Sequence, residues 1–172
     1  MKWISFFVAA IFVCMFCGCP PPPETIELCQ KADACTSPPV GEWACDAVGA
    51  SATLSYSPSG PVFDFTVVGT VPNVNTLYVL VYYPDPWPGT GLICLGDPTL
   101  SGSAGEISIS GTPAIGDLPI ASDENFADGA KLWLVPASMV DCTGKVMANW
   151  DDCPGIVFEK DILNRVNYTY VP

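Results

Sequence analysis

Histidine is absent from all 172 residues, and cations are scarce: six Lys and Arg stand against 18 Asp and Glu, a formal net charge of −12. Without an imidazole, Ser-His-Asp and Cys-His nucleophile systems are excluded, and so are histidine metal sites. So acidic a chain repels phosphate backbones, which excludes nucleic acid as a partner and leaves a solvated surface, cations or basic partners. No apolar run reaches the roughly 20 residues that cross a bilayer as a helix. Long 3.6-residue periodicity is missing too, which argues against parallel βαβ units.

What is present is 15 glycines, 18 prolines and short runs of β-branched and aromatic residues, the composition of many strands joined by turns. "PVFDFTVVGTV" (61–71) sets Phe63, Phe65 and Val67 on one face against Asp64 and Thr66, the period-2 pattern of a half-buried strand. "GEISISG" (105–111) alternates in the same way, whereas "TLYVLVYY" (76–83) is apolar on both faces and reads as a central strand. With 52–57, 92–95, 131–136, 155–160 and 165–171, the pattern predicts about eight strands. The expected fold is all-β: an antiparallel β-sandwich over 51–172, immunoglobulin-like in architecture.

The N-terminus reads "MKWISFFVAAIFVCMFCGCPPPPE". Lys2 and the apolar run 3–17 have the length and flanks of a secretory signal peptide. Phe16, Cys17, Gly18 and Cys19 then resemble the lipobox of prokaryotic lipoproteins: an apolar residue, a small one, glycine, and the cysteine that is lipidated. The resemblance implies removal of residues 1–18 and a diacylglycerol thioether on Cys19, a membrane anchor. Residues 19–25 then form a proline spacer of polyproline II type. An uncleaved anchor and plain secretion are the alternatives.

Cysteine parity agrees. Of nine cysteines, Cys14 and Cys17 leave with the signal and Cys19 goes to lipid, so six remain: Cys29, Cys35, Cys45, Cys94, Cys142 and Cys153. Six suit three disulfides in an oxidising compartment, and their wide spacings lack the C-x-x-C pairs of metal sites. Among fifteen connectivities, the expected bridge is Cys142–Cys153 across "DCTGKVMANWDDC", with Cys94 joining the 29–45 cysteines in the other two. Residues 26–50 then form a stapled segment packed on the main domain, with one helical turn around "ELCQKADAC".

Three stretches are candidates for chemistry. In "YYPDPWPGTG" (82–91), Tyr82, Tyr83, Asp85 and Trp87 combine aromatics and a carboxylate on a proline-stiffened loop, which suits a sugar ring or a protein partner; alternatively Trp87 is a lid over the domain's end. In "SDENFADGAK" (122–131), Asp123, Asn125 and Asp128 are weak calcium candidates, because the EF-hand order fails. A turn ending at Gly129 and N-capped by Ser122 or Asp123 is the simpler reading. Asn167 in "NYT" is a glycosylation candidate.

The reading is of a cell-envelope lipoprotein whose β-sandwich is a non-catalytic binding module for a protein or glycan, with no cofactor. The alternatives are a structural component assembling through sheet edges and a small carboxylate-dependent hydrolase.

Overall fold

The computed structural model describes residues 21–31, 44–86, 90–160 and 165–172, so the signal segment with Cys19, and also Cys35 and Trp87, lie outside the described residues. Among the described residues thirteen strands follow in order: β1 (Glu24–Gln30), β2 (Ser51–Tyr56), β3 (Ser59–Gly60), β4 (Phe65–Thr70), β5 (Leu77–Tyr82), β6 (Ile93–Cys94), β7 (Thr99–Leu100), β8 (Glu106–Gly111), β9 (Leu132–Pro136), β10 (Val140–Asp141), β11 (Val146–Met147), β12 (Val157–Glu159) and β13 (Thr169–Tyr170). Among the described residues there is no α-helix, and no helix is long and apolar enough to cross a membrane.

The fold is all-β and predominantly antiparallel. Nine strands form one continuous sheet in the order β6-β5-β9-β12-β1-β2-β4-β8, with β7 beside β6 on the edge of β5. The sheet curls until its ends approach. A side chain on Gly111, at the end of β8, would come within 3.0 Å of the Leu95 carbonyl just beyond β6. A tight turn from β7 into β8 closes the other corner through Gly105, whose φ of +80° suits glycine alone and whose missing side chain lets the Val71 carbonyl approach. These nine strands thus lie in one curled sheet, while β10 pairs with β11 and β3 runs parallel to β13 in two small sheets of their own.

Curling creates an inside, filled by Leu28, Leu54, Phe65, Val67, Leu80, Tyr82, Ile109, Leu134 and Val157 from successive strands. Phe63 sits among Tyr56, Phe65 and Tyr168 at ring-centroid distances of 5.8, 5.6 and 5.2 Å. A second core lies on the outer face of β5, β9 and β12, where Val79, Val81, Tyr83, Trp133, Val135 and Phe158 are covered by Met139, Trp150, Cys153 and Ile156 of the 137–156 segment.

Three expectations are corrected. The helical turn around "ELCQKADAC" is excluded through Gln30, because β1 is an interior strand there, paired with β2 along six residues and with β12 along three. Ile26 and Leu28 turn inward from it while Thr25 and Glu27 turn out. The proline spacer accordingly stops short of residue 25, and the start of the stapled segment is part of the sheet. Finally, Cys142 does not bridge to Cys153: it pairs with Cys94, Cα atoms 5.6 Å apart, and Cys29 pairs with Cys45. The Cys94–Cys142 bridge ties the outer layer down at the edge of β5, a long-range geometry that no local spacing encodes. Cys153 is disulfide-bonded as well. Disulfides of this kind mark an oxidising, extracytoplasmic environment.

Candidate binding site

Both loop candidates meet at one end of the sheet. Tyr82 of β5 pairs with Leu132 of β9, so the next step sets Tyr83 opposite Lys131, with the Tyr83 N–H donating to the Lys131 carbonyl at 3.0 Å. The loop leaving β5 and the turn entering β9 are therefore neighbours. The C-terminal segment crosses beside them through a two-way backbone bridge between Ala130 and Val166, which delivers Arg165. Gly129 allows this approach: its φ is +99°, and a side chain there would sit 2.8 Å from the Arg165 Cβ.

Asp123 is the hub. It is 4% exposed and accepts from the Tyr82 hydroxyl at 2.5 Å and from the N–H groups of Asp85 (3.1 Å) and Asn125 (2.9 Å). The expected Asp123 cap is thus present, in an irregular turn rather than a helix. The Asn125 amide donates to both Asp85 and Asp123, and its oxygen accepts from the Arg165 guanidinium at 2.7 Å. Lys131 pairs with Asp85 at 2.5 Å while its ammonium lies 4.8 Å from the Tyr83 ring centroid and 5.5 Å from that of Trp133. Arg165 continues to Glu159 at 3.8 Å, and Glu159 also accepts from the Trp133 indole.

The electrostatics follow from who is buried. Burial alone raises the Asp85 carboxyl, but Lys131 and Asn125, with Arg165 behind, hold it below the usual range. For Glu159 burial prevails and its carboxyl is raised, although Lys31, the Trp133 N–H and Arg165 pull the other way. Burial also pushes the Tyr83 phenol up to about 12, and the Tyr82 phenol higher still, the latter helped by its bond to Asp123. Half of the six basic residues (Lys31, Lys131 and Arg165) are buried here, which leaves the exterior more acidic than the composition suggests.

The sequence candidates are distributed unevenly. Tyr82 faces the inner core and Tyr83 the outer one, each almost fully buried, so neither presents a ring to solvent; Asp85 keeps 29% of its side chain exposed. Asp128 is exposed and joins no cluster, and Asn167 is exposed beside buried Val166 and Tyr168. Asp123 and Asn125 offer calcium little, since their oxygens already accept hydrogen bonds and two cations stand alongside. Among the described residues no three Cys, Asp or Glu side chains are grouped as metal ligands.

Sequence reasoning missed Lys131, Arg165, Glu159, Trp133 and Phe126. The scarcity of cations was a usable signal, because a buried Lys or Arg demands a carboxylate partner. Phe126, 54% exposed at the tip of the buttressed turn, is a large apolar side chain that this end shows to solvent among the described residues. A separate groove of about 440 Å³ over β1, β2 and β4 is lined by Glu27, Thr53, Val68, Gly69, Lys160 and the Cys29–Cys45 bridge, and holds no aromatic ring. Compared with protein-family models, curated proteins and solved structures, the chain matches none of them.

Proposed function

We propose that this chain is an envelope lipoprotein, anchored through Cys19, whose β domain is a non-catalytic binding module for a protein or glycan partner. The observation that carries it is the clamp just described: Asp123, Asn125, Asp85, Lys131 and Arg165 lock the loop after β5 to the turn before β9. An exposed Phe126, with Glu124 and Pro86 exposed on the same two loops, is thereby held without flexible support. An aromatic anchor with a polar rim on a rigid base is what recognition requires, because little entropy is lost on binding. The immunoglobulin-like sandwich belongs to the same reading, with the two halves of the curled sheet facing each other as its layers.

Anchoring draws support from cysteine parity and from the exposed residues 21–23, which lead straight into β1. At about 3.1 Å per residue, the exposed prolines 21–23 supply a spacer of roughly 9 Å ahead of β1. The other readings have less behind them. The curl turns the two ends of the sheet toward each other, which leaves less edge for assembly. The buried carboxylates are tied in structural hydrogen bonds rather than set across an open cleft.

The test is retention of purified envelope polysaccharides and envelope proteins on the immobilised chain. One class is retained by the wild type and weakened about tenfold or more by Phe126→Ala, with thermal unfolding unchanged. Retention that Phe126→Ala leaves intact, or no retention of either class, sinks the assignment. Intact mass of membrane-extracted protein tests the lipid on Cys19 separately.

A further inference from the structure

Lys131 and Asp85 are more than a salt bridge in their setting. The amine nitrogen lies 2.5 Å from Oδ1, on a lysine side chain 9% exposed and an aspartate side chain 29% exposed. The nitrogen lies against Tyr83 and Trp133, 4.8 and 5.5 Å from their ring centroids, and the two rings are stacked on each other at 4.2 Å, so one side of the approach is walled by carbon. On the far side of the carboxylate, the Asn125 amide donates to Oδ2, and Asn125 is in turn held by Arg165. A nucleophile, a carbonyl carbon and a donor to the other oxygen are thus fixed in one place by the fold.

We propose that Lys131 and Asp85 are the reactant pair of a self-crosslinking reaction, in which the ε-amine and the side-chain carboxyl condense to an isopeptide bond with loss of one water. The resting state is the ammonium–carboxylate pair. Proton transfer along the short contact gives the amine and the acid, the reactive minor form of a pair that rests ionised. The nitrogen lone pair adds to Cγ, and the negative charge that builds on Oδ2 meets the Asn125 N–H, as in an oxyanion hole. Collapse breaks the Cγ–Oδ1 bond. Oδ1 leaves as water with two of the three ammonium hydrogens, and the amide keeps the third. Nothing is oxidised or reduced, and no other reactant is needed.

Held in contact, the two groups react with an effective molarity of about 10⁵–10⁸ M, which lowers the barrier to a condensation that is slow between separate molecules. The usual dehydration of an aspartate, closure to an imide on the following backbone N–H, is blocked because residue 86 is proline and has no N–H. The product would join the loop after β5 to the start of β9 by a bond that no reductant opens, on the same outer face that the Cys94–Cys142 bridge ties down.

The test is a peptide map of the purified full chain after reduction and alkylation of every disulfide. The expected result is one branched peptide carrying both Asp85 and Lys131, lighter by one water than the sum of its two linear parts. In Lys131→Arg, which keeps the charge and loses the amine, the branched peptide disappears while the circular-dichroism spectrum stays that of a folded β protein. Two linear peptides at full mass, with Lys131 open to acetylation in denaturant, overturn the proposal and leave an ion pair. Should the arginine variant fail to fold, the wild-type map alone decides.

Discussion

β4 and β5 are each six residues long and lie in the same sheet, yet "FTVVGT" buries every second side chain over its first half while "LYVLVY" buries five of six. The difference runs through the molecule. β2, β4 and β8 cover only the inner core and turn their other face to water, so they alternate. β5, β9 and β12 carry the inner core on one face and the outer layer on the other, so every position but Leu77 is buried. Periodicity in this chain reports how many layers a strand supports. The charged clamp also sits on the doubly covered half, where a desolvated ion pair has close neighbours to hold it.

The sharpest way to break the comparison is Trp133→Ala. Trp133 stacks on Tyr83 at 4.2 Å, meets Phe158 edge-on at 5.0 Å and donates its indole N–H to Glu159. Its removal opens the outer core and strips a buried carboxylate of a donor, so a loss of about 4–5 kcal/mol is expected from urea unfolding. Phe65→Ala on the singly covered half removes packing alone and should cost less, about 3–4 kcal/mol. Equal losses would mean that the outer layer adds nothing.

The disulfides rank next. Cys94–Cys142 closes a separation of 48 residues and Cys29–Cys45 one of 16. In the chain-entropy model these correspond to about 4 and about 3 kcal/mol. The double variants Cys94→Ala/Cys142→Ala and Cys29→Ala/Cys45→Ala, compared by denaturant midpoint, test that order. A reversed order would show that the bridge beside β1 carries strain-free packing the loop-length argument ignores.

Much of this architecture was legible beforehand, and what failed did so for physical reasons. The alternation in "EISISG" and the continuous apolar run in "LYVLVY" gave their strands because burial alone decides them. β1 alternates too, with Ile26 and Leu28 inward, but its cysteine drew it into a stapled segment. β3, β7, β10 and β11 are two-residue pairings imposed by tertiary contact, with no local pattern to find, whereas β13 falls within the predicted stretch 165–171. At the site, 82–91 and 122–131 were each marked by composition. Their union depends on the β5–β9 register and on Arg165 arriving from the C-terminal segment. That information is not local.

Alkaline pH probes both cores at once. Burial raises the phenols of Tyr78 and Tyr83 from the usual 10.0 to about 12. A raised folded-state value means that the phenol contributes full stability below pH 10 and loses it as pH rises through about 12. For Tyr83 the loss approaches about 3 kcal/mol over that window. Phenolate absorbance from these two rings should therefore appear together with unfolding, near pH 12. Ionisation near pH 10 in a still-folded protein would show that the outer layer opens locally over Tyr83 while the inner core holds.

The smallest effect belongs to Val68→Ser. Val68 is the outward residue of β4, 56% exposed, with Thr53 and Ser108 as its cross-strand partners. A hydroxyl there stays in water beside two others, so the change should fall within about 0.5 kcal/mol. Val81 is outward on β5 in the same sense, yet it is fully buried beneath the outer layer, and Val81→Ser must bury a hydroxyl where valine packed. The same substitution at two outward-facing valines thus reads the number of layers directly. A measurable loss at Val68 would mean that its face is covered too, and the division of the sheet into singly and doubly covered halves would have to be redrawn.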